Sequence, residues 1–216
     1  MLISVHIPKT GGTSFGAMLA RHFGPRLLRD YDDRPLSHGG LARLSTAVFG
    51  ARDARARLRG HEAVHGHFLP LKYRGVPGDV VTWLRDPAQR IVSRYAHYLR
   101  DVASQQPLQP VAGLRPGLTL AEFIEIPRFQ DTYSKYLRGT PLSRIRCFGF
   151  SEDMDEGLAR MRRVLGLDLG DALSLRSNPG REGTRYDIPA PVARRIARLN
   201  AADYRLWQRA REREGV

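Results

Sequence analysis

The chain has 216 residues, 42% of them hydrophobic and 26% charged, which suits one folded domain with a buried core rather than a disordered or repetitive protein. Basic residues outnumber acidic ones 35 to 22, for a formal charge of +13, and all but Lys9, Lys72 and Lys135 of the basic residues are arginines. The single cysteine, Cys147, excludes an internal disulfide and a cysteine-based metal cluster, and no apolar run approaches the roughly 20 residues of a membrane helix.

In chain order, Leu2 to Ile7 reads as a buried strand and Thr13 to Phe23 as a helix with Phe15, Met18, Leu19 and Phe23 on one face. Residues 51–60 read as an exposed basic helix, 62–68 as a short strand, and Asp79 to Leu84 as a second buried strand. Asp86 then stands as a helix cap ahead of Pro87, with the helix running to about Arg100. Residues 104–118 lack apolar periodicity and read as a loop. Short helices are expected near 119–126 and 128–138, a core strand over Ile145 to Phe150 that takes in Cys147, and a helix over 152–165. After a turn-rich loop at 177–185, one last helix over about 190–213 turns Val192, Ile196, Leu199 and Leu206 inward. Strands alternating with helices predict a three-layer α/β fold: a mainly parallel sheet flanked by helices, in a single domain over 1–216.

The most informative stretch is "HIPKTGGTS", where the first strand breaks into a glycine turn that starts a helix. Such a P-loop-like turn offers unpaired N–H groups and the positive end of a helix dipole to an anion. Gly11 and Gly12 let the backbone approach closely, Thr10, Thr13 and Ser14 provide hydroxyls, and Lys9 adds a charge. The lysine precedes the glycines, so the order differs from the Gly-x-x-x-x-Gly-Lys-[Ser/Thr] loop of ATP- and GTP-using enzymes. A plain strand-to-helix turn is the bland alternative.

"HIPKTGGTS" resembles the 5′-phosphosulfate-binding motif of sulfotransferases that use 3′-phosphoadenosine-5′-phosphosulfate (PAPS), most of all the branch containing heparan sulfate 2-O- and related carbohydrate sulfotransferases. Arg85-Asp86-Pro87, followed by Arg90 and Ser93, resembles the 3′-phosphate motif of the same family, in the same order and about 75 residues on. The likeness is sharp at residues 5–15 and 83–98. It implies an enzyme that binds PAPS as donor and releases 3′-phosphoadenosine-5′-phosphate (PAP), with Lys9 to Ser14 at one end of the nucleotide and Arg85 and Ser93 at the other. The family's late cofactor loop would fall in "SNPGREGTRYD", with Arg181, Gly183 and Thr184 as candidates.

For the base that takes the acceptor's proton, "AVHGHF" places His65 and His67 two apart, pointing the same way if the strand is extended. The resemblance gives the second, His67, the role of base and leaves His65 a positioning part; Glu62 is the alternative base. A His-x-His pair without a third ligand is no metal site, and no metal is expected. The partner expected is a small-molecule or carbohydrate acceptor. Nucleic acid is not expected, since no zinc-finger or RNP-like pattern accompanies the charge. A P-loop-like kinase or hydrolase, or a non-catalytic polyanion-binding module, are the alternatives, and the setting expected is cytoplasmic.

Overall fold

The structure, a computed structural model, describes residues 1–33, 35–37, 39–171 and 185–216. Five strands, β1 (Leu2–Val5), β2 (Leu27–Asp30), β3 (Ala63–Gly66), β4 (Asp79–Leu84) and β5 (Ile145–Phe150), form one sheet in the order β2-β3-β1-β4-β5. Every neighbouring pair is parallel. Alternation along the strands feeds two cores. Ile3, Val5, Val64, Val80 and Phe148 face α2 (Gly40–Arg57), α5 (Thr132–Tyr136) and α8 (Ala201–Glu214). Leu2, Ala63, Val81, Trp83 and Cys147 face α1 (Gly12–Phe23) and α6 (Met154–Leu165). The result is the expected three-layer α/β fold, with the helices packed on both faces because each face of a parallel sheet must be covered.

A third apolar cluster lies outside the sheet. It packs α3 (Pro87–Ala103) against α4 (Leu120–Phe123) and α7 (Ala190–Leu199) around Ile91, Phe123, Phe129 and Ile196. Among the described residues no helix is long and apolar enough to cross a membrane.

The structure departs from the sequence reading in three places. The edge strand β2 was not expected. The helix read over 51–60 begins at Gly40 and ends at Arg57. The last helix breaks at Asn200, whose side chain is fully buried and bridges Ile196 O and the Asp131 N–H (both 3.0 Å), so α7 and α8 pack as separate elements.

This strand order creates a reversal beside β1: the chain leaves β1 toward β2, whereas it leaves β4 toward β5. The crevice at the carboxyl ends of β1 and β4 is thus a topological switch point, where open α/β sheets bind ligands. The glycine turn follows β1, and Arg85 follows β4.

Candidate active site

Between β1 and α1 the backbone turns through two left-handed residues, Lys9 (φ 71°) and Gly11 (φ 83°). The Thr10 hydroxyl bonds back to Ile7 O (2.8 Å) and is fully buried, so Thr10 shapes the turn. Gly11 caps α1 without a side-chain hydrogen bond, and no acidic residue sits in the first turn of that helix. The positive end of the helix dipole is therefore not neutralised by a capping side chain or a first-turn carboxylate. At Gly12 a Cβ would come within 2.1 Å of the His6 ring, so only glycine lets the helix start this close to the strand.

The turn opens into a cavity of about 1090 Å³. Lys9, Gly11, Gly12, Thr13 and Ser14 line it, as do Arg85, Ser93 and His67. Seven of the candidates from two separate motifs, together with the proposed base, thus share one space.

Arg85 is held by its own backbone. The buried Tyr133 hydroxyl donates to Arg85 O (2.5 Å) and accepts from the Arg85 N–H (3.1 Å). Its guanidinium lies 5.5 Å from the Tyr186 ring centroid, and Tyr186 is fixed by two hydrogen bonds with Gln89 (2.6 and 3.0 Å). Asp86 caps α3 by accepting the Gln89 N–H (3.0 Å), and the Asp86 N–H donates to Glu152 (2.7 Å). Burial raises the Glu152 carboxyl above its ordinary range, against the pull of that N–H and of Arg85. Ser93, 3% exposed, stands two turns along α3.

The two histidines part company. β3 ends at Gly66, and His67 beyond it bonds through Nδ1 to His6 O (2.6 Å). A carbonyl can only accept, so Nδ1 carries the proton and Nε2 keeps a lone pair, as a base requires. Burial lowers the His67 pKa below 6.5, outweighing the opposing effect of that bond, so the ring is neutral at pH 7. His65 instead points beneath the turn. Its Nε2–H donates to Gly12 O (3.1 Å), and its Nδ1 accepts from the Ser4 hydroxyl (2.7 Å). It is 2% exposed and does not line the cavity, and burial takes its pKa down to about 3. Both of its ring nitrogens are thus engaged within the protein. The His6 ring lies between the two, with centroids 5.1 Å from His65 and 4.4 Å from His67.

Glu62, the alternative base, precedes β3 at the far end of the parallel sheet and pairs with Arg26 (2.6 Å), away from the cavity. Arg181, Gly183 and Thr184 lie outside the described residues. Tyr31, Tyr136, Arg94 and Arg128 also line the cavity and were not singled out from sequence. Of these only Arg94 carried a signal, since residues 90, 93, 94 and 97 follow the i, i+3, i+4, i+7 spacing of one helix face. The chain matches no protein-family model and no curated protein.

Proposed function

We propose that the chain is a sulfotransferase moving a sulfuryl group from PAPS to a hydroxyl, or an amine, of a small-molecule or carbohydrate acceptor in the cytoplasm. The observation that carries this reading is the single cavity in which three things meet. They are the uncapped start of α1 with Lys9, the Arg85–Ser93 pair, and a histidine whose tautomer is set for proton abstraction. A cavity of about 1090 Å³ has room for a nucleotide and an acceptor together. Its cationic walls suit a ligand with phosphate at both ends.

When bound, the donor supplies an activated sulfuryl group and leaves as PAP. The first N–H groups of α1 and the Lys9 ammonium stabilise charge that develops on the leaving phosphate. Arg85 and Ser93 hold the 3′-phosphate by charge-assisted hydrogen bonds, and Tyr133 fixes the Arg85 backbone from which that side chain projects. His67 takes the acceptor's proton at Nε2 while the acceptor oxygen bonds to sulfur and the bond from sulfur to the phosphate oxygen breaks. A single buried cysteine accords with a reducing compartment.

The test is a thermal-shift series with PAP, AMP, ADP, and ATP with Mg²⁺. Ligand at about 100 times its dissociation constant adds about 2.7 kcal/mol, or about 5–10 °C for a chain of this size. The expected result is a shift with PAP, without metal, that Arg85→Ala reduces. Lys9→Ala is expected to lower turnover by about 10²–10³-fold. A shift only with ATP and Mg²⁺ overturns the reading in favour of a kinase or hydrolase, and no shift with any of them overturns it outright.

A further inference from the structure

Helix α3 brings a second imidazole to the cavity that the donor reading does not use. Ser93, His97 and Asp101 recur every four residues and so stack along one face of the helix. Ser93 and His97 line the cavity, and Asp101 stands one turn beyond. His97 Nδ1 lies 2.9 Å from Asp101 Oδ2, and the two side chains are 33% and 32% exposed. A carboxylate accepts, so Nδ1 carries the proton and the lone pair is on Nε2, which makes no hydrogen bond among the described residues. This repeats the construction at His67, with Asp101 in place of the His6 carbonyl. An i, i+4 pair on an outer helix face would turn both groups to bulk water, whereas this imidazole is part of the cavity wall.

The two imidazoles belong to opposite flanks of the glycine turn. In the strand order β3-β1-β4, His67 follows β3 and α3 follows β4, with the turn after β1 between them. The charge of Lys9 acts on both flanks: on His6, whose ring centroid is 4.4 Å from that of His67, and on His97. Burial first, then Lys9, with Arg94 adding a smaller part, takes the His97 pKa below 6.5 against the pull of Asp101, so the ring is neutral at pH 7. The surroundings of the two rings differ. His67 stands edge-on to Tyr31 and Tyr136, centroids 4.8 and 6.1 Å away, and such walls suit an organic acceptor. The groups acting on or beside His97 are Lys9, Ser93, Arg94 and Asp101, all polar, and the one-third exposure of the pair admits water.

We propose that the His97–Asp101 pair is a second general base of this cavity and that its nucleophile is water, so that the protein hydrolyses PAPS to sulfate and PAP when no acceptor is bound. This rests on the sulfotransferase reading for the identity of the donor. His97 Nε2 takes a proton from water as the water oxygen bonds to sulfur and the bond from sulfur to the phosphate oxygen breaks. The electron pair of that bond leaves with PAP, and sulfate is the other product. Asp101 holds the ring in the required tautomer and stabilises the imidazolium that forms.

The test follows PAP released from PAPS by the full chain with no acceptor added, beside calorimetric titration with PAP and ¹⁵N NMR of the histidines in the free protein. His97→Gln should lower the acceptor-free rate by about 10²-fold or more, and His67→Gln should leave it within about twofold. PAP affinity should stay within about twofold in both. The wild-type rate should rise with pH to a plateau through a midpoint below 6.5, and Asp101→Asn should move that midpoint lower, because the carboxylate raises the His97 pKa. NMR should show His97 as the Nδ1–H tautomer. A release rate no faster than without protein, while PAP binds, overturns the inference and leaves the sulfotransferase reading standing. An equal fall in His67→Gln gives the water to His67 and overturns it too, as does an Nε2–H tautomer at His97 or a loss of PAP affinity that matches the loss of rate. Failure of PAP to bind at all overturns the sulfotransferase reading, and the inference with it.

Discussion

Acidification should unfold this protein in a way that can be traced to His65. The folded imidazole protonates only near pH 3, because burial desolvates the charged form and outweighs the hydrogen bond to Gly12 O, which favours it. Unfolded, it protonates at its ordinary 6.5. Between these values the unfolded chain binds more protons than the folded one, so stability is full above about pH 6.5 and falls with each unit toward pH 3. With RT of about 0.59 kcal/mol, the loss from this one residue is below about 0.1 kcal/mol at pH 7.5 and about 1.4 kcal/mol at pH 5.5. That amounts to about 3–6 °C for a chain of this size. The assay is urea denaturation of the wild type and His65→Gln at both pH values. The variant starts less stable but should lose at least about 1.4 kcal/mol less on acidification, since His65 also lowers the pKa of its neighbour His6, while contributions from the buried carboxylates cancel in the difference. Equal losses in the two proteins, or an NMR titration of His65 with a midpoint above pH 5, refute the reasoning.

His67→Ala should lower the sulfuryl-transfer rate by about 10²–10⁴-fold with PAP affinity unchanged; in the wild type the rate should rise with pH to a plateau through a midpoint below 6.5, because only the neutral ring accepts a proton. Tyr133→Phe leaves the buried Arg85 N–H without its acceptor, and should cost about 1–3 kcal/mol in denaturation together with weaker PAP binding. Gly66→Ala places a Cβ 1.6 Å from the Asp30 carbonyl oxygen; a destabilisation at or above the upper end of about 1–3 kcal/mol is expected, and a variant that melts with the wild type removes the argument.

The elements legible in the sequence are those whose signals are local. β1, β4 and β5 are short apolar runs ending at turn residues, and Asp86-Pro87 announces α3. β2 was missed because Leu27–Asp30 has only four residues at the sheet edge, with Arg29 and Asp30 giving no apolar pattern. Asp30 is nonetheless fully buried, because Lys72 (2.7 Å) and Tyr73 (2.6 Å) reach it from more than 40 positions away, and no local reading supplies those partners. The same holds at the cavity. The glycine turn and the Arg85–Ser93 pair are contiguous patterns and stood out, whereas the separation of His65 from His67 depends on where β3 ends and on Ser4 in the next strand. Tyr136 and Arg128 come to the wall by way of the α4–α5 region, so only the tertiary fold shows that they line the cavity with His67.

Lys9 holds a backbone conformation, φ 71°, that glycine or asparagine would adopt at lower cost. A non-glycine residue in that region carries about 1–3 kcal/mol of strain. Selection of random variants for thermal tolerance should therefore enrich Lys9→Gly, and those survivors would have discarded the ammonium at the cavity wall. On the proposed function, a library screened for robustness and a library screened for turnover should diverge at this one position.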